Sequence, residues 1–183
     1  WDPARLSGHP LLADGQTGSL HPPRLLLQWL FPPRLAYPLH LVLHLAAAGL
    51  GMYAYLRSLG CGRAAALTGA VVWMLGGQNA VTYKYGSVLP LSALLPLALM
   101  AVDGLAGSRP AASAAGLALA LAGMLMASHP QFLYYAALIL AAAAGARWIP
   151  ALLARASRVA TLKAVGWGAA AALLGLALAA PQI

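Results

Sequence analysis

Apolar runs of about 17 to 22 residues, near the length that spans a bilayer, recur along this chain, and two kinds of polar cluster close them in alternation. Gln78-Asn79, His129-Pro130-Gln131 and Pro181-Gln182 close one set, whereas Arg57 to Arg63, Arg109, and Arg147 to Lys163 close the other. A hydrocarbon core about 30 Å thick takes roughly 20 mostly apolar residues per helix. Backbone in lipid bonds to itself only in helices or closed barrels, and these runs are too long for barrel strands. The pattern therefore predicts an all-α, polytopic integral membrane protein with six transmembrane helices near 36–57, 64–80, 88–106, 111–128, 131–149 and 163–180. The run from Leu25 to Phe31 is too short to span, and Pro22-Pro23 and Pro32-Pro33 bracket it. Residues 1–35 accordingly read as an outer loop that ends in an interfacial or re-entrant helix, with Trp29 at headgroup level.

Composition removes the soluble alternative. With 62% hydrophobic and 8% charged residues and a mean hydropathy of +0.78, a chain of 183 residues cannot cover itself with polar surface. Its formal charge of +8 comes from eleven basic residues scattered between apolar runs, with no basic stripe of the kind that binds nucleic acid. The charge instead sets an orientation. Arg57, Arg63, Arg109, Arg147, Arg155, Arg158 and Lys163 fall on one side, against Arg5, Arg24, Arg34 and Lys84 on the other, and the richer side is expected to be cytoplasmic. The single cysteine, Cys61, excludes an internal disulfide. Trp1 is preceded by no Met and followed by no signal-peptide pattern, and the last apolar run ends close to Ile183, so an internal stretch of a longer protein is expected.

The spacing of Gln78, Gln131 and Gln182 by 53 and 51 residues matches one helical hairpin each, which either a weak internal repeat or the ordinary length of a spanning pair explains. Paired glycines such as Gly49 and Gly51 permit close helix packing. Polar groups collect on the expected outer face: Asp2, His9, Asp14, Gln16, His21, Gln78, Asn79, Tyr83, Lys84, Tyr85, His129, Gln131, Tyr134 and Tyr135. Such a concentration suits a water-filled cleft for a polar ligand, although helix ends and an aromatic belt also account for it. His40 and His44, four residues apart, project from one face of the first long helix and suit a metal, a porphyrin or simple packing. Phosphate-loop, nucleophile-elbow, zinc and dinucleotide motifs are absent from the sequence. That leaves chemistry at the outer membrane face, where Asp14, with turn-forming Gly15 and Gly18 close by, is the candidate general base and Lys84, Arg24 or His129 would hold an anionic group.

Trp1-Asp2-Pro3, Ser7-Gly8-His9-Pro10, Ala13-Asp14-Gly15-Gln16-Thr17-Gly18 and His21-Pro22-Pro23 resemble the first outer loop of bacterial YfhO-like membrane proteins. His44-Leu45, Gly49-Leu50-Gly51-Met52-Tyr53, Leu56-Arg57, Leu59-Gly60 and Ser128-His129-Pro130-Gln131 extend the resemblance over most of the chain. It implies the architecture of the GT-C glycosyltransferases, which pass a sugar from a polyprenyl-phosphate donor to an acceptor at the extracytoplasmic face of the bacterial inner membrane. By this resemblance Asp2 and Asp14 are the available catalytic acids, with a true catalytic acid upstream of Trp1 as the alternative. His129, Gln131, Lys84, His21, Gln78, Asn79 and Tyr83 are the expected substrate contacts, and a divalent metal ion is an optional cofactor. Partners would be the bilayer, the lipid-linked sugar and further membrane subunits. Two other classes remain open: an accessory subunit that carries a pigment or haem on His40 or His44, and a transporter, for which Asp103 is the only intramembrane acid.

Overall fold

The computed structural model describes residues 8, 18–77, 79, 86–127, 129–154 and 158–181. Among them are seven helices and no strand: α1 (Pro22–Leu30), α2 (Pro33–Ser58), α3 (Arg63–Leu75), α4 (Leu89–Gly104), α5 (Pro110–Ala127), α6 (Pro130–Leu153) and α7 (Arg158–Ala179). Proline stands in the first turn of α1, α2, α4, α5 and α6. Its fixed φ suits a helix start, and its missing N–H falls where a helix has no partner for one.

Helices α2, α5, α6 and α7, of 26, 18, 24 and 22 residues, are long and apolar enough to cross a membrane. The other two expected spans come out shorter. Helix α4 has 16 residues and α3 only 13, about 24 and 20 Å at 1.5 Å per residue. The expected run 64–80 stops at Leu75 for a local reason: Gly76 takes extended backbone, and the Asn79 side-chain amide donates to the carbonyls of Trp73 and Met74 at 2.8 and 3.2 Å. Those carbonyls would otherwise be unpaired at a helix end. Helix α1, with nine residues, is the expected short helix, and it lies against α2 with Trp29 81% exposed.

Helix α4 is the spine. It packs against α2 and α5, while α3 packs on α2 and reaches α4 through Trp73, and α7 packs on α5. Helix α6 lies across α4 and touches α7, so it has the least buried surface of the four long helices. One apolar cluster joins Leu95, Ala98 and Val102 of α4 to Leu117, Ala118 and Met124 of α5, Leu140 of α6 and Ala171 of α7. Side chains such as Leu50, Val72, Leu119, Leu138 and Leu173 point away from it and are exposed, an outward apolar band that fits a lipid surround.

Small residues set the spacing. The α5 and α7 pair has the most extensive contact in the fold, and a Cβ built on Gly175 of α7 would come 3.0 Å from the Ala118 carbonyl oxygen and 3.0 Å from Leu121 Cβ. The backbones touch there because the side chain is a hydrogen. Gly175→Val is expected to destabilise the protein by about 1 to 3 kcal/mol through overpacking. Gly166→Val, where a Cβ meets nothing within 4 Å, should cost far less. Denaturation of the two variants in detergent measures the difference, and equal losses would contradict this packing.

Candidate functional site

Two polar groupings mark opposite ends of the bundle. At the first, Gly18 adopts φ +58, a left-handed turn conformation that glycine enters freely, and its carbonyl accepts from the His21 backbone N–H at 3.1 Å. The turn delivers His21, at the N-cap of α1, onto His40 and His44 of α2. Ring centroids lie 4.2 Å apart for His40 and His44, 5.2 Å for His21 and His44, and 6.0 Å for His21 and His40, and all three residues are buried.

Hydrogen bonding assigns the tautomers. His44 Nδ1 lies 2.7 Å from the His40 carbonyl oxygen and must donate to it, which leaves a lone pair on Nε2. His21 Nε2, at 3.1 Å, donates to that lone pair. His40 Nε2 donates to the Gly86 carbonyl at 3.3 Å and ties α2 to the segment before α4. With all three rings neutral, the Nδ1 atoms of His21 and His40 carry lone pairs, and both are buried without a hydrogen-bond partner among the described residues. Burial first, then the neighbouring His44, His40 and Arg24, pushes the His21 pKa down to about 3.

The same end carries the 129–135 segment. A Cβ on Gly18 would sit 3.6 Å from Ala127 Cα, so the loop that leads into α1 rests on the end of α5, two residues before His129. His129 caps α6, with Nδ1 accepting from the Gln131 backbone N–H at 3.1 Å; in the neutral ring the proton then sits on Nε2, a donor. Gln131 is exposed and donates to the Tyr135 hydroxyl at 2.9 Å. Asn79 has a different occupation. Besides capping α3, its Oδ1 accepts from Ser92 Oγ at 2.7 Å, and the Trp73 indole donates to the Ser92 carbonyl at 2.9 Å. Its amide is thus wholly engaged in holding α3 to α4. Asp2, Asp14, Gln78, Tyr83 and Lys84 lie outside the described residues.

At the opposite end Asp103 of α4 pairs with Arg147 of α6. Nη2 donates to Asp103 Oδ2 at 2.9 Å and to the Tyr55 hydroxyl of α2 at 3.3 Å, Nε contacts Oδ1, and Nη1 donates to the Ala143 carbonyl at 3.1 Å. In the charge count Arg147 served only as a topology marker. A signal for the pairing was nevertheless present: a lone acid within an apolar helix needs a cation on a neighbouring one.

Among the described residues no three of His, Cys, Asp and Glu are grouped to hold a metal ion. What the first end offers is hydrogen bonding: an Nε2–H donor on His129, an exposed carboxamide on Gln131, and uncharged imidazoles beneath. Comparison with protein-family models, curated proteins and solved structures yields no match.

Protonation tests the imidazole cluster. An unfolded chain takes up a proton on His21 near pH 6.5, whereas the folded chain resists it down to about 3. Stability is therefore full above about pH 6.5 and declines as pH falls towards 3, by up to about 1.4 kcal/mol per unit from this group. His21→Gln should remove that part of the slope. Denaturation midpoints of both proteins between pH 7.5 and 4.5 measure it, and parallel curves would contradict the assignment.

Proposed function

We propose that this chain belongs to a GT-C-type membrane glycosyltransferase of the YfhO-like kind, which transfers a sugar from a polyprenyl-phosphate donor to an acceptor at the extracytoplasmic face of a bacterial inner membrane. One observation carries the reading. The Gly18 turn, which leads from the acidic, proline-rich segment into α1, packs on Ala127, two residues before His129; in this reading Asp2 and Asp14, earlier in that segment, work at the end where His129 and Gln131 sit. Most of the arginines fall at the other end, the expected cytoplasmic side. In this reading α3 and α4 cross with the four longer helices, which gives six crossings, and α1 lies in the interface with Trp29 among the headgroups.

The chemistry is a displacement at the anomeric carbon. The acceptor oxygen forms a bond to that carbon as the bond to the lipid phosphate breaks; the acceptor proton passes to the carboxylate of Asp14, or of Asp2, and the lipid phosphate leaves as an anion. Lys84 and the Nε2–H of His129 stabilise that anion. Gln131, Gln78, Tyr83 and His21 supply the remaining polar contacts, whereas the Asn79 amide acts at one remove, through the α3 to α4 junction.

The competing classes draw less support. A porphyrin on His44 would have to displace His21 from Nε2, and one on His40 would have to reach an Nδ1 buried among the neighbouring rings. A transport site at Asp103 would have to break its pairing with Arg147.

In the full-length protein, Asp14→Asn or Asp2→Asn, whichever carboxylate is the base, is expected to lower lipid-dependent sugar transfer by about 10²-fold or more, and His129→Ala by at least about tenfold. The assay is radiolabelled sugar release from a polyprenyl-phosphate donor in proteoliposomes. Unchanged transfer in all three variants would overturn these roles.

A further inference from the structure

At the arginine end a cleft of about 750 Å³ opens between α2, α4 and α5. Leu94, Leu97, Met100 and Leu119 wall it, and Gly116 forms part of its floor, where a Cβ would meet nothing within 4 Å. Its polar groups cluster at one mouth, around Ser58, Asp103, Arg109 and Ser113. Asp103 is already neutralised by Arg147. Arg109 is exposed between α4 and α5, and its guanidinium has no hydrogen-bond or ion-pair partner among the described residues. The mouth therefore presents one uncompensated positive charge at the rim of an apolar slot.

The slot has the length of a leaflet. From Arg109 to Leu119 along α5 is about 15 Å of helix, half of a hydrocarbon core of roughly 30 Å. Leu94 to Asp103 along the antiparallel α4 covers nearly the same depth. Basic pockets between spanning helices suit anionic headgroups, and a guanidinium pairs two phosphate oxygens at once.

We propose that this cleft holds an anionic phospholipid from the leaflet at the arginine end, with one acyl chain along Leu94, Leu97 and Leu119 over Gly116 and its phosphate against Arg109. The site is independent of the sugar-transfer reading, since it lies at the opposite end of the bundle. Arg109 selects the headgroup and Gly116 makes room for the chain.

Native mass spectrometry of the delipidated full-length protein, titrated with phosphatidylglycerol or phosphatidylcholine, tests both halves. The unaltered protein should retain one phosphatidylglycerol about fivefold more strongly than phosphatidylcholine, a preference expected of one basic group near the headgroup. Arg109→Gln, on an exposed connection, should keep the chain but lose the preference, and Arg109→Lys should restore part of it. Gly116→Leu should abolish tight retention of both lipids with helical content intact. Equal retention of the two lipids by the unaltered protein, or an undiminished preference in Arg109→Gln, would overturn the proposal. A dimer that Gly116→Leu splits would overturn it as well, by making the cleft an interface between two copies.

Discussion

A chain this apolar has to bond its backbone to itself. In hydrocarbon each unpaired N–H or C=O costs several kcal/mol, and that single constraint turns each long apolar run into a helix. It also governs the places where helices stop. Prolines occupy first turns, where no donor is needed, and the Asn79 amide and the His129 ring bond to backbone groups that helix ends leave open. Once the helices exist, lipid gives little hydrophobic push to bring them together, so close backbone approach takes over. Gly175 against Ala118 and Gly51 against the Ala93 carbonyl show the consequence: α7 seats on α5, and α2 seats on α4, where a side chain has been reduced to hydrogen.

Polar residues then differ according to which end they occupy. At the arginine end charge is balanced within the bundle, Asp103 against Arg147 with Tyr55 alongside, and what remains positive lies at the rim. At the histidine end the buried polar groups are kept neutral. Three imidazoles bond to one another and to carbonyls, an arrangement that avoids a buried charge close to the apolar interior. Buried imidazole and exposed carboxamide are ingredients from which a site for a polar substrate would be built on that face.

Much of this was legible from the residues. Apolar run length marked the six long segments to within a few residues in most cases, and the proline pairs marked α1. The error in α3 is instructive, because Gly76-Gly77 directly after Leu75 is a break signal that the expected bounds passed over, and nothing in the run shows that Asn79 turns back to cap Trp73 and Met74. The site was legible only in part. His40 and His44 declare a shared face by their spacing, but His21 reaches them across 23 residues through a turn that depends on the conformation of Gly18. Likewise Asp103 and Arg147, 44 residues apart, become partners only when α6 crosses α4. Spacing along one helix is written in a sequence; a meeting of two helices is decided by packing.

The proposed function requires one orientation, with the histidine end outward and the arginine end in the cytoplasm. Cys61, the single cysteine, lies in the turn between α2 and α3 at the arginine end and is partly exposed. Labelling of intact cells with a membrane-impermeant maleimide reads the orientation directly, in the unaltered protein and in Cys61→Ser combined with Gln131→Cys. In the proposed orientation Cys61 reacts only after the membrane is permeabilised, whereas the cysteine at position 131 reacts in intact cells. The reverse pattern would contradict it.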